Sequence, residues 1–350
     1  MRVGLEATAA LERRFTGLPR YSVELARALA DLGDEDLSCR ILLRVADYRR
    51  RQFKPDYAWP VRWYCCGMWP MFPSCDVVHG LGVRLPRTVG RAARVSTFHD
   101  MSPLSLPRYG SERSHRNTLR RYEHAVRVAD RIIAVSAATR ADLLSYFDYP
   151  EHRVHVVHHG VSAAFLTAAE RAGRTMDTGQ APYFVAFCGN PRKNLQRTIE
   201  AFGNSKFRDT AKLRIIGSPS KEEREALRAA RLEERTRFSE PSDDETMVKL
   251  YRGASGLLFP SLLEGFGIPI LEAMCCGIPV LTSVRSGTAE TAGSHAVLVE
   301  PTSVESIGDG IDRLCSVVPQ ALRDAQTYAR AFTWCRTAEQ TAAVYRAALS

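Results

Sequence analysis

No Cys-x-x-Cys pair and no His-Glu-x-x-His run occurs in this sequence, so its nine cysteines and nine histidines form neither a zinc comb nor a metalloprotease signature. We therefore expect no bound metal and no cofactor. The cysteines stand as Cys39, the adjacent pairs Cys65-Cys66 and Cys275-Cys276, and Cys75, Cys188, Cys315 and Cys335. An odd count without an export signal argues for reduced, mostly buried thiols in a cytoplasmic protein. No apolar run reaches about 18 residues, so no membrane-spanning helix is expected. The opening MRVGLEATAA contains Arg2 and Glu6 but no apolar stretch of about 7 to 15 residues, and no signal peptide is expected from it. Short-period repeats and low-complexity tracts are missing as well.

Lysine is scarce in the first half, where Lys54 stands alone, and the basic excess there is arginine. Residues 1–165 carry 25 Lys+Arg against 17 Asp+Glu, which accounts for +8 of the net charge of +9. These arginines are dispersed and match no recognition motif, which argues against nucleic acid as a partner. One reading is a solvated basic face. The other is a surface for an anionic membrane leaflet or a phosphorylated acceptor, which would put the protein at the inner face of the cell membrane.

With 350 residues, 45% of them hydrophobic, the chain can bury a substantial core, and its length suggests two domains. Short β-branched or apolar runs recur at MRVGLEA, LSCRILLRV, VRWYCC, DVVHG, RVSTFHD, RIIAVS and RVHVVHHG. Helical spacing of apolar residues separates several of them, as over residues 18–32 and 114–130. That alternation implies a parallel sheet covered by helices. Residues 166–182, LTAAERAGRTMDTGQAP, are small and polar and predict a linker. A second series follows at YFVAFCG, KLRIIG, RTRF, GLLFPS, IPVLTS and AVLVEP. The expected architecture is thus α/β, with two doubly wound Rossmann-like domains over residues 1–165 and 183–333. A final helix over residues 334–350 has no following strand and is expected to cross back to the first domain.

Ligands in such sheets bind beyond the carboxyl ends of the strands. That rule selects Asn190 to Asn194, Gly217-Ser218, Ser261 to Gly267, Ser283 to Thr288, His99-Asp100 and Ser136. NPRKN follows an apolar strand: Gly189 permits a tight turn, Arg192 and Lys193 supply cations, and a helix from about Asn194 adds its partly positive end. Together these suit a phosphate. A solvent-exposed basic turn is the plainer alternative.

EGFGIPILE, residues 264–272, brackets a glycine-rich turn with two glutamates. Pro269 fits a helix's first turn, and Gly265 and Gly267 let amides approach a ligand. If all eight steps were helical, the Glu264 and Glu272 Cα atoms would lie about 12 Å apart. Paired glycosidase carboxyls sit roughly 5 to 9.5 Å apart. The spacing therefore favours two glutamates gripping two parts of one extended ligand, against the alternative of a capping residue and a surface one. His99 and Asp100 stand at a strand end ahead of a proline-punctuated loop, where a histidine bonding loop backbone is the simpler reading. Gly17, in TGLPRY, either admits a ligand or only makes a turn. Asp34-Glu35-Asp36 superficially matches a metal-binding Asp-x-Asp, but follows a helix-ending Gly33 and is expected to face solvent.

Taken in order, TGLPRYSVELARAL, STFHDMSPLSLPRYG, ADRIIAVSAATRADL, RVHVVHHGV, GNPRKN, SLLEGFGIPILEAMCCGIPV and the final FTW helix span nearly the whole chain. The sequence so composed resembles the retaining GT-B glycosyltransferases of family 4, most closely the bacterial mannosyltransferase-like members. The resemblance implies two Rossmann-like domains facing a cleft and a metal-independent transfer from a nucleotide-diphosphate sugar. GDP-mannose is the best single guess for the donor, and a lipid-linked or cell-surface polysaccharide for the acceptor. Gly17 and Gly189 would line the donor site, and Arg192 and Lys193 would hold the diphosphate. Glu264 and the amides of Phe266 and Gly267 would meet the sugar, and Glu272 would bind the ribose. His99 would stabilise charge beside the transferring sugar, with Asp100 orienting it or the acceptor. The turn from Gly189 to Arg192 is shorter than is usual in the family, and His159-Gly160 and Ala289-Glu290 replace pairs common there. The alternatives are an epimerase or phosphorylase on the same scaffold, or a non-catalytic nucleotide-sugar-binding protein.

Overall fold

A computed structural model of the protein describes residues 1–11, 17–50, 58–65, 74–87, 89–106, 112–170 and 181–350. Among these, the chain forms two compact units. One comprises Met1–Gly160 with Thr333–Ser350, and the other Val161–Phe332.

In the first unit the apolar runs form β1 (Arg2–Glu6), β2 (Ser38–Arg44), β3 (Val61–Tyr64), β4 (Val77–Gly80), β5 (Ala93–Phe98), β6 (Arg131–Ala134) and β7 (Val154–Val156). Its helices are α1 (Gly17–Asp31), α2 (Ser102–Ser105), α3 (Glu112–Val128) and α4 (Ala137–Tyr146). All seven strands run parallel in the order β3-β2-β1-β4-β5-β6-β7. Val3, Leu5, Ile41, Val77 and Val95 are buried beneath Leu25 and Leu29 of α1. Each such side chain contributes about 1.5–3 kcal/mol by leaving water.

The second unit repeats the plan with α5 (Ala163–Glu170), β8 (Tyr183–Phe187), α6 (Leu195–Asn204), β9 (Lys212–Ile216), α7 (Lys221–Ala229), β10 (Thr236–Ser239), α8 (Asp244–Arg252) and β11 (Gly256–Phe259). It continues through α9 (Ile268–Cys275), β12 (Val280–Ser283), α10 (Ser286–Ala292), β13 (Val297–Val299), α11 (Val304–Leu314) and α12 (Pro319–Arg330). Its sheet is again all-parallel, in the order β10-β9-β8-β11-β12-β13. In each sheet the strand order reverses beside the unit's first strand, between β1 and β4 and between β8 and β11. Those are the switch points where loops diverge and leave room for a ligand.

Three expectations need correction. Residues 166–170 are not linker: they complete α5, whose Phe165 and Ala168 are buried within the second unit. The small residues of LTAAE pack as a helix face there, and residues 171–180 of the expected linker lie outside the described residues. The contact boundary falls at Gly160–Val161, ahead of that helix. The cysteines are also less buried than expected: Cys39, Cys275 and Cys276 are buried, Cys65, Cys75 and Cys188 half-buried, and Cys315 and Cys335 exposed. The final helix, expected to cross back to the first domain, is α13 (Trp334–Leu349); it falls in the first unit, where Trp334, Ala338, Ala342 and Tyr345 join the α1 core.

Several buried polar residues interrupt that core, His79 among them. His79 lies on β4, wholly buried, with Nδ1 2.6 Å from the Tyr345 hydroxyl and Nε2 2.7 Å from Thr97 Oγ1. Burial disfavours its charged form and, with a smaller push from His99, holds its pKa down at about 3. In the unfolded chain the imidazole titrates near its ordinary value of 6.5. Between those values only the unfolded state binds the proton, so this contribution to stability is intact above pH ~6.5 and is lost as pH falls toward ~3. In urea titrations followed by tryptophan fluorescence, stability is expected to fall between pH 7.5 and 5. His79→Gln should lower the slope by about 1.4 kcal/mol per pH unit in the acid window; an unchanged slope would contradict a neutral buried His79.

Candidate active site

In the second unit the site is assembled from the loops that leave β8, β11 and β12. Gly189 takes φ +84°, a conformation that L side chains rarely adopt. Asn190 Oδ1 accepts the Arg192 N–H at 3.0 Å and starts a tight turn over Pro191–Lys193. Asn194 then adopts φ 61°, ψ 31°, which asparagine tolerates better than most residues. The expected helix begins one residue later, at Leu195, and the Asn194 side chain does not cap it. Its Nδ2 instead donates to the carbonyls of Pro260, at 3.0 Å, and Pro301, at 2.6 Å. One buried amide thus ties together the loops after β8, β11 and β13. A further backbone bond, Leu262 N–H to the Arg192 carbonyl at 2.8 Å, joins the first two directly.

These ties bring Lys193 Nζ to 2.8 Å from Glu264 Oε1, with both side chains largely buried. The ammonium also lies over the Phe259 ring at 4.4 Å from its centroid. Screened from water on one side by that ring, the ion pair is stronger than an exposed one.

The glycine-rich turn is fixed from behind by α10. The Gly287 N–H donates to the Glu264 carbonyl at 3.0 Å, the Glu264 N–H to Ser286 Oγ at 3.3 Å, and the Thr291 hydroxyl to the Phe266 carbonyl at 2.7 Å. A methyl on Gly287 would sit 2.0 Å from the Gly265 carbonyl oxygen, so only glycine fits. Phe266 anchors the turn with its buried ring, and Gly267, at φ 108°, redirects the chain into α9. Helical geometry starts at Ile268, so the eight steps from Glu264 to Glu272 are not one helical segment and the 12 Å spacing does not apply. Glu272 sits in the second turn of α9 and is only 3% exposed. Cys275 lies in the same helix. Burial, reinforced by the charge of Glu272, raises its thiol to about 12, so it is no nucleophile at neutral pH.

The first unit gathers His99, Tyr21, His159 and Trp334. His99 follows β5, and its Nε2 lies 2.8 Å from the Leu81 carbonyl just after β4. A carbonyl only accepts, so Nε2 holds the proton and Nδ1 is the acceptor of the neutral ring. The His99 ring makes a T-shaped contact with Tyr21 at 4.7 Å and stacks on His159 at 5.3 Å with 23° between planes. Burial lowers the His99 pKa, opposed by the Leu81 bond and the Asp100 charge. Burial also holds His159 well below the ordinary value. Asp100 Oδ1 accepts the Ser102 N–H at 2.9 Å at the start of α2, so part of its function is local. Gly17 opens α1, and a Cβ there would meet nothing within 4 Å. The neighbouring Thr16 lies outside the described residues.

The structure therefore brings Gly189, Arg192, Lys193, Glu264, Phe266 and Gly267 into one bonded set of loops, with Glu272 on the helix that follows. His99, Asp100 and Gly17 stand in the other unit. Among residues that the sequence did not single out by role, Gly287, Thr291 and Asn194 hold the loops and His159 stacks on His99. A glycine at the start of the helix that follows β12, in SVRSGT, is the one local signal for Gly287. Among the described residues no group of three or more His, Cys, Asp or Glu is arranged to hold a metal ion.

Residues 15–165 match the family model described as Glycosyltransferase Family 4, and residues 181–331 match Glycosyl transferases group 1. The chain is a family 4-like glycosyltransferase of the GT-B fold. This glycosyltransferase is 27% identical over 287 residues to the O-antigen chain mannosyltransferase B of Escherichia coli, covering 77% of the chain and 74% of the relative. It is 31% identical over 258 residues to the D-inositol 3-phosphate glycosyltransferase of Salinispora tropica, covering 65% of the chain but only 53% of that longer relative. Among solved structures, HepE from Anabaena in complex with UDP-glucose superposes with a TM-score of 0.72 at 17% identity, over 99% of both chains.

Two glycine substitutions separate what the fold requires from what it tolerates. Gly287→Ala is expected to destabilise the glycosyltransferase by about 1–3 kcal/mol in urea unfolding, because backbone must move to admit the methyl. Gly17→Ala should leave stability unchanged or raise it by up to about 1 kcal/mol.

Proposed function

We propose that this protein is a retaining, metal-independent hexosyltransferase that takes its sugar from a nucleotide-diphosphate donor, GDP-mannose first among candidates. The acceptor is a lipid-linked or cell-surface polysaccharide. The observation that carries the reading is the Lys193–Glu264 pair: a cation from the loop after β8 meets a carboxylate from the loop after β11, at the sheet's switch point. A donor has complementary parts, a diphosphate for the cation and sugar hydroxyls for the carboxylate. The mannosyltransferase relative favours mannose, whereas UDP-glucose in HepE keeps uridine donors in the comparison.

On this reading Arg192 and Lys193 neutralise the departing diphosphate, whose charge grows as the anomeric C–O bond breaks, so their effect is largest in the transition state. Glu264 accepts hydrogen bonds from the sugar, near the amides of Phe266 and Gly267. Glu272 offers the ribose hydroxyls a carboxylate in a low-dielectric setting, where each hydrogen bond counts for more. His99 is kept neutral by burial, and a neutral ring suits an oxocarbenium-like sugar because an imidazolium would repel it. Asp100 supports that ring or the acceptor.

Lys193→Ala and Glu272→Ala should each lower donor turnover at least a hundredfold. Assays pair each nucleotide sugar that stabilises the protein thermally with candidate acceptors, and near-normal rates in both variants would sink the site assignment. A new glycoside that depends on added acceptor separates transfer from epimerisation, phosphorolysis or simple binding.

The basic half has a physical counterpart in α3, whose exposed face presents Arg113, Arg116, Arg120, Arg121 and Arg127 against Glu112 and Glu123. Each arginine near an anionic leaflet contributes about 1 kcal/mol of attraction, screened by salt. Cosedimentation with phosphatidylserine vesicles at low salt, weakened by added salt and by Arg116→Glu/Arg120→Glu, is the expected result. Absence of binding at any salt concentration would remove the membrane from the reading.

A further inference from the structure

Tyr21, Thr97, His79 and Tyr345 come from α1, β5, β4 and α13, and all four are essentially buried. Their polar atoms form one continuous line. The Tyr345 hydroxyl is 2.6 Å from His79 Nδ1, His79 Nε2 is 2.7 Å from Thr97 Oγ1, and Thr97 Oγ1 is 3.1 Å from the Tyr21 hydroxyl. The far end of that line is the Tyr21 ring, which makes a T-shaped contact with His99 at 4.7 Å and a tilted one with His159 at 4.9 Å.

The order of the line matters. The bond from Nε2 to the Leu81 carbonyl fixes one end of the His99 ring but leaves rotation about that axis. The plane of the ring is set by what packs on it, Tyr21 nearly perpendicular and His159 nearly parallel. Apolar packing alone would let Tyr21 slide, since dispersion has no preferred direction. Its buried hydroxyl needs a partner, and Thr97 supplies one at a single place. Thr97 is in turn held by a ring that reaches both ways. A neutral imidazole has one donor and one acceptor on opposite sides, so it can bridge Tyr345 and Thr97 together. No other uncharged side chain of that size spans both.

We propose that His79 is a positioning residue for His99: by bridging Tyr345 to Thr97 it fixes the Tyr21 hydroxyl, and through Tyr21 the plane of the His99 imidazole. The proposal deepens the reading of His99 as the group beside the transferring sugar and rests on it for its kinetic consequence. His79 is fully buried, and both its ring nitrogens are engaged by protein hydroxyls. Its effect travels through Tyr21.

Two near-isosteric changes test this without emptying the core. Tyr345→Phe opens one end of the line, and Thr97→Val opens the other. The full chain is labelled with 15N-histidine and its ring nitrogens are followed by long-range 1H–15N correlation, with the His99 signals assigned by their loss in His99→Asn. Wild type should show His99 with its proton on Nε2. Both variants should move the His99 nitrogen shifts, and His79→Gln should do the same while recovering part of the effect through its one remaining amide contact. In transfer assays kcat should fall about ten- to a hundredfold, with the donor KM within about twofold, because the proposed donor grip lies on the second unit. Lower thermal stability with unmoved His99 signals and unchanged kcat would overturn the proposal. His99 signals that move without a change in transfer would uphold the hold of His79 on His99 and remove His99 from the reaction instead.

Discussion

Every strand pairing in both sheets is parallel, and that one constraint decides where chemistry can occur. Parallel neighbours need a crossover between them, and here helices supply most of these, so the loops that leave carboxyl ends gather along one edge of each sheet. The loops after β8, β11 and β12 are neighbours for that reason, although up to a hundred residues separate them in sequence. Once adjacent, they are joined by backbone donors and acceptors that would otherwise be stranded. The candidate donor loops are therefore rigid because of their surroundings and not because of their own composition.

The two units solve the problem of holding polar groups in different ways. In the second, a single asparagine amide, a glycine without room for a methyl and one threonine hydroxyl hold the loops from outside. In the first, a buried aromatic cluster surrounds His99, and the polar atoms of Tyr345, His79, Thr97 and Tyr21 are bonded one to the next. The arrangement in the second unit keeps a charged pair, Lys193 and Glu264. That in the first suppresses charge, with His79, His99 and His159 all pushed toward their neutral forms.

The strands were readable because each is a short apolar run bounded by turn residues, and parallel strands buried on both faces show that pattern clearly. The NPRKN and EGFGIPILE loops were readable because glycine, proline and charge cluster there for local reasons. LTAAE was not readable: its small residues look like linker until a partner surface in the second unit makes them a helix face. Nor were Asn194, Gly287 and Thr291, whose roles exist only after distant loops have met. The spacing of Glu264 and Glu272 misled for a related reason, since Gly267 at positive φ ends one geometry and starts another. His79 reads as one more residue of DVVHG, and nothing near it in sequence announces Tyr345.

Lys193 and Glu264 are each other's counter-ion, with side chains 21% and 14% exposed. An approaching ion therefore meets a neutral couple, and its long-range pull is that of a dipole. Free phosphate that captures Lys193 strands a half-buried carboxylate, and a plain sugar that engages Glu264 leaves the ammonium to be shared. A molecule bringing an anion and hydroxyl donors at the right separation satisfies both at once. On the proposed reading the pair acts as a coincidence detector, favouring a molecule that brings both halves over either half alone.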